Sequence, residues 1–282
     1  MRRTLLLILL SALVVTSSAT VADAQRRRRQ AAAPKPPSGK SAVACPKTLR
    51  DITDCPDTGC GKALDPLLNR QKNIPSDNQR VVTRTLQALK DLPDPVPGFK
   101  VGDTREKLTA LGEGDKIRVV AYALVARKGG KESCNCGLGA AADTDNHIVL
   151  VDEPTLDLTA RATRGRKATA KRKAVKARTA KQNTLTLREK QSITAEFAPR
   201  VRLDHPDLAG ARLQALIAGA PRDALLVRLT GLLMFDSEHS LGHHLERANN
   251  WEIHPVLGLE YCPAGKRCTA GSDANWVNLE QE

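Results

Sequence analysis

Glu252 and His254 stand two residues apart in the stretch NNWEIHPV, residues 249–256. In an extended strand such residues share a face, so the carboxylate and the imidazole point together, away from Trp251 and Ile253. A carboxylate beside a histidine keeps the ring more basic and fixes its orientation, which suits proton transfer or support of a metal ligand. Glu252 and His254 are therefore the candidate catalytic pair, expected on the outer or rim side of the fold. The plainer alternative pairs Glu252 with a base such as Arg247 and leaves His254 capping a loop.

A second group has the chemistry of a metal site. Asp145 and His147 fall in DTDNHIVL, and His239 and His243 are four apart, the spacing of one helical turn. Mixed carboxylate and imidazole ligands suit a divalent ion that activates water. Asp145, His147, His239 and His243 are the candidate metal ligands, and a divalent metal the candidate cofactor, although no H-E-x-x-H pattern completes the set.

The elements that must position these groups are mostly strands. Residues 117–125 form an apolar run ended by Gly129-Gly130, residues 147–151 a second, and residues 193–197 a third that alternates Ile193, Ala195 and Phe197 with Thr194 and Glu196. Pro206 is expected to open a helix with Ala209, Leu213, Leu216 and Ile217 on one face, stopped by Gly219 and Pro221. Residues 225–235 and 251–261 are two further strands. Three strands, a helix and two strands is the order of a mainly β, five-stranded OB-like Greek-key barrel with one helix between strands three and four. A small mixed sheet with one covering helix is the alternative. In an OB-fold, ligands meet the loops between strands one and two and between strands four and five. Here those loops, with the strand ends beside them, hold five of the six histidines; His205 sits at the helix start. Tyr122, Phe197, Phe235 and Trp251 are expected in the core, because a chain with only 2 Trp, 2 Tyr and 3 Phe needs them there.

The rest of the chain divides by composition. Residues 1–24 read as a signal peptide: Arg2-Arg3, an apolar run at 5–15 and an A-x-A cleavage site at Ala22-Asp23-Ala24. That run falls short of the roughly 20 residues a bilayer span needs. The mature chain is thus expected to lack a transmembrane segment and to be periplasmic or extracellular. Residues 25–42 read as a disordered basic, Pro-rich tether and residues 43–112 as an irregular Cys-containing region with one amphipathic segment near 77–92. Residues 113–262 are the barrel, interrupted by a disordered basic insertion at 160–187, and residues 263–282 a C-terminal tail carrying Cys268.

Charge and cysteines refine this picture. Arg161, Arg164, Arg166, Lys167, Lys171, Arg172, Lys173, Lys176, Arg178 and Lys181 occur without an acid among them. Together with Arg2, Arg3 and Arg26 to Arg29 they make sixteen positive charges, and removing these from the net +13 leaves −3. The barrel is near neutral, and the insertion alone would attract a polyanion such as nucleic acid or an anionic envelope polymer. It has no aromatic side chain to stack on bases. Cys45, Cys55, Cys60, Cys134, Cys136, Cys262 and Cys268 are all disulfide candidates in an oxidising compartment, and the odd count leaves one thiol over.

With its motifs ESCNC (132–136), DTDNHIVL (143–150), FDSEH (235–239) and WEIHP (251–255), the chain resembles an uncharacterised family of exported bacterial proteins over roughly residues 43–262 outside the insertion. The resemblance implies no particular activity or cofactor. The likeness to OB-fold nucleases of the thermonuclease type is one of architecture, and fold does not fix function. The reading that follows from fold order and charge is an exported, non-enzymatic polyanion-binding module. A metal-dependent hydrolase, such as a nuclease, and a structural envelope protein are the alternatives.

Overall fold

The computed structural model describes residues 44–61, 65–73, 79–93, 95, 99, 103–159, 170–238 and 246–281, with backbone only at 170–176. The expected signal peptide and tether, residues 160–169 of the basic insertion, and His239 and His243 lie outside the described residues.

Val82–Thr83 (β1) adds a short parallel rung beside the first long strand, Lys116–Lys128 (β2). Asn146–Val151 (β3) pairs antiparallel with β2, and Ile193–Phe197 (β4) with β3. Leu225–Phe235 (β5) pairs antiparallel with β2 and with Trp251–Tyr261 (β6), while β6 runs parallel to β4. The order β2-β3-β4-β6-β5 closes onto β2, giving a five-stranded OB-like barrel, with β1 and Val277–Asn278 (β7) outside it.

The barrel closes because every strand alternates. Ile117, Val119, Ile148, Leu150, Ile193, Ala195, Phe197, Val227, Leu229, Phe235, Trp251 and Ile253 all fill one core. Phe235 stacks edge-on against Trp251 at 5.4 Å and against Phe99 at 6.0 Å. Phe197, Phe235 and Trp251 are thus core residues. Tyr122 stands on the outer face, where its hydroxyl donates to Glu153 Oε2 at 3.1 Å.

The helices are Pro66–Asn73 (α1), Leu86–Lys90 (α2), Glu106–Thr109 (α3), Glu153–Leu156 (α4), Ala170–Glu189 (α5), Pro199–Asp204 (α6) and Gly210–Gly219 (α7). Several boundaries differ from the sequence pattern. The helix before β5 starts at Gly210 rather than Pro206, since residues 205–208 are tied in a turn by the Leu208 amide to His205 carbonyl bond, and Pro199 opens an additional helix, α6. The segment at 77–92 divides between β1 and α2, because Val82 and Thr83 are captured by the exposed edge of β2. The described part of the basic insertion lies in a 20-residue helix, Ala170 to Glu189, rather than in unordered chain, consistent with the high helix propensity of Ala, Lys and Arg. Arg178 and Lys181 are exposed on it, and Lys181 pairs with Asp223 at 2.8 Å.

The N-terminal region covers one outer face of the barrel. Disulfides Cys45–Cys60 and Cys55–Cys136 pin it, the second tying it to the β2–β3 loop, and Cys262–Cys268 closes the short turn after β6. Cys134, a disulfide candidate by count, is the free thiol and is buried. A buried Arg105 guanidinium then joins three pieces of chain: it donates to Glu113, to Asp65 at the head of α1 at 3.2 Å, and to Ser237 after β5 at 3.0 Å.

Candidate metal centre

Glu196 on β4, His147 on β3 and the pair Glu252 and His254 on β6 all alternate with core residues, so they stand on the outer face of the barrel wall. The sequence places Glu252 and His254 on that side too, but it misses their burial. Both are fully buried, because α1 and the β2–β3 loop close over them. A wall that would ordinarily face water has become the floor of a polar chamber.

A bulge adjoins His254. Gly231 of β5 pairs with Val256 and Leu233 with Ile253, so His254 and Pro255 together oppose a single residue, and Pro255 has no ladder proton to leave unpaired. Gly231 is required there: a Cβ on it would lie 2.6 Å from the Pro255 carbonyl oxygen and 2.7 Å from Ile253 Cγ2.

Around the imidazole, Nδ1 lies 3.1 Å from Glu196 Oε2 and 3.4 Å from Glu252 Oε1, and Nε2 lies 3.5 Å from Asp145 Oδ1. His147 Nε2 is 3.4 Å from Glu196 Oε1 and 3.5 Å from Glu132 Oε1. Two permanent cations clamp the rim of the chamber. Lys72 of α1 is 3.2 Å from Glu132 and 3.8 Å from Glu252, and Arg247 bonds Glu252 at 3.1 Å and Asp236 at 3.0 Å. The ion pair of Glu252 with Arg247 is thus present, whereas His254 packs between carboxylates and caps no loop. Asn135 donates to Asp145 Oδ2, and the buried Cys134 thiol lies 3.5 Å from Glu132 Oε2 and 3.8 Å from Asp145 Oδ2.

Electrostatics follow from these neighbours. Burial alone would lower the His254 imidazole, but Glu196, Asp145 and Glu252 hold it well above the usual histidine range. Glu196 acts first on His147 and, with Glu132 and against burial, pushes it up to about 9. Burial pushes the Glu196 carboxyl and the Cys134 thiol up. Burial opposes ionisation of Glu132 as well, yet Lys72 and then His147 hold it below the ordinary glutamate value.

Asp145 Oδ1, Glu196 Oε2, Glu252 Oε1, both ring nitrogens of His254 and His147 Nε2 are buried yet make no well-aligned hydrogen bond. Buried polar atoms are nearly always paired, so a concentration of exceptions at one point calls for a ligand. Three trios there, Asp145 with Glu196 and His254, Glu132 with His147 and Glu196, and Glu132 with Cys134 and Asp145, each bring three ligand atoms within 4.8 Å. Carboxylate oxygen and imidazole nitrogen are the donors a divalent ion of the zinc or manganese type takes.

Of the metal ligands expected from sequence, Asp145 and His147 meet here. Glu252 and His254, expected as catalytic, lie within the same cluster. Glu196 and Lys72 were not legible as site residues, one hidden in a short alternating strand and the other some 60 residues upstream of the loop it meets. Comparison with protein-family models, curated proteins and solved structures finds no match for this chain.

Proposed function

We propose that this is an exported, metal-dependent hydrolase whose ion is held by Asp145, Glu196 and His254 on the outer wall of the barrel. The observation that carries the reading is the convergence at one point of buried carboxylate and imidazole atoms that face one another without a well-aligned hydrogen bond. A bound divalent ion supplies Lewis acidity and lowers the pKa of a water molecule. The chain's own residues prepare the place for it. Glu252, anchored by Arg247, orients His254 through Nδ1, and Asn135 fixes Asp145 by donating to its other oxygen.

Exposure rises toward one side of the cluster, where the His147 side chain is 24% and Glu132 14% exposed, against 0% for His254. Exposed Lys131 precedes Glu132, and half-exposed Arg127 faces His147 across the β2–β3 ladder. Cationic groups beside the more exposed side favour an anionic ester, such as a phosphoester, as substrate. Three disulfides fit an oxidising compartment.

The test is elemental analysis of the purified protein together with hydrolysis of a chromogenic phosphodiester. Bound divalent metal is expected, with His254→Ala lowering metal affinity and activity by about tenfold or more. A folded protein that takes up neither Zn²⁺ nor Mn²⁺ sinks the reading.

A second reading, contact with a polyanion through residues 161–181, is supported by the acid-free basic sequence and by the exposure of Arg178 on a regular helix.

A further inference from the structure

Glu196 is shared between two imidazoles, one on each oxygen. Its Oε2 faces His254 Nδ1 at 3.1 Å and its Oε1 faces His147 Nε2 at 3.4 Å. Asp145 completes the trio on the first side, where all three side chains are buried. Glu132 completes the trio on the second, with its Oε1 3.5 Å from His147 Nε2. Buried atoms without a well-aligned hydrogen bond occur on both sides: Asp145 Oδ1, Glu196 Oε2 and His254 on the first, His147 Nε2 on the second. Gly129 lies close against the second side: a Cβ there would come 2.8 Å from the buried His147 Nε2, so glycine spares that nitrogen a clash.

We infer that the centre takes two divalent ions, bridged by the carboxylate of Glu196. One is enclosed by Asp145, Glu196 and His254, and the other is held by Glu132, His147 and Glu196 at the more exposed side. The inference rests on the reading of this cluster as a metal centre. Two cations so close repel each other, and the surroundings offset part of this, since Glu132, Asp145, Glu196 and Glu252 outnumber Lys72 and Arg247. A bridging carboxylate is also the group that can serve both ions without either losing a donor. The asymmetry of burial assigns different duties: the enclosed ion holds the wall together, and the one beside the partly exposed His147 and Glu132 side chains lies nearer to water and substrate. Pairs of this kind clamp the attacking and leaving oxygens of an in-line displacement, which fits the phosphoester class.

The experiment is calorimetric titration of the purified, chelator-stripped protein with Mn²⁺, with metal content measured after gel filtration. Two ions per chain are expected for the wild type and one for His147→Ala. One ion per chain, unchanged in His147→Ala, overturns the bridged pair while leaving the single-ion centre standing; no bound ion overturns both. Because Glu196→Gln could fail to fold, bridging is read in the wild type by electron paramagnetic resonance. An exchange-coupled Mn²⁺ spectrum supports Glu196 as the bridge, and the pattern of isolated Mn²⁺ at full loading overturns it.

Discussion

At the scale of single residues, the candidate centre is a contest between burial and charge. Burying a carboxylate or an imidazolium is costly unless opposite charge stands beside it, and here each such group is supplied with a partner within 4 Å. His147 shows the balance most directly. Its pKa, pushed up to about 9 chiefly by Glu196, exceeds the unfolded value near 6.5, so protonation stabilises the metal-free fold. That contribution is complete below about pH 6.5 and is lost as pH rises through about 9. Thermal unfolding of the chelated protein should therefore show stability falling over this window, by about 3 kcal/mol from this group. His147→Gln should flatten the fall, and an equal decline in that variant would show that His147 is not its source. Of the residues involved, Glu252, His254, Asp145 and His147 could be picked out of the sequence, because a carboxylate and a histidine at strand spacing, or in one loop, announce themselves. Glu196 could not, since a lone acid alternating with apolar residues is what any solvated strand face looks like.

At the scale of elements, strand alternation does the positioning. Hydrophobic alternation sends Glu196, Glu252 and His254 to one side of the wall, with the imidazole 3.5 Å from Asp145 and the bulge at His254-Pro255 just beyond it. Proline marked that irregularity in advance, as it has no amide proton to give a neighbouring strand. Helix α5 is the opposite case. Its Lys-, Arg- and Ala-rich sequence lacks the apolar stripe of a packed helix, and its last turns meet the barrel, where Leu185 joins the cluster of Leu124, Val149 and Val151, and Glu189 pairs with Arg127 at 2.9 Å. If this element contacts a polyanion, deleting residues 161–181 should weaken binding to duplex DNA by about tenfold or more at low salt and remove most of the salt dependence. Fluorescence anisotropy across a salt series checks it, and an unchanged slope after the deletion would refute the helix as the contact.

At the scale of the whole molecule, a disulfide-pinned cap turns an ordinary outer face into a buried chamber. Cys55–Cys136 joins residues 81 apart in sequence, and closing so long a loop in the unfolded chain is worth about 4 kcal/mol by the chain-entropy argument. A Cys55→Ala, Cys136→Ala double variant is expected to lose stability of that order and to bind the ion more weakly, since α1 with Lys72 and the loop with Glu132 would no longer be held over the wall. Chemical denaturation with and without Mn²⁺ measures both, and a metal-dependent stabilisation equal to that of the wild type would show that the cap does not build the site. The sequence by itself determined the strand order, the barrel, three of the four expected core aromatics, Phe197, Phe235 and Trp251, and the loops richest in reactive groups, because these follow from local periodicity and turn chemistry. Only the tertiary structure decided that Cys134 stays free while Cys55 reaches Cys136, that Lys72 pairs with Glu132 and Glu252, and that Glu196 stands between two histidines. Those pairings join residues far apart in the chain, and they are fixed by which surface the cap buries, something no local pattern records.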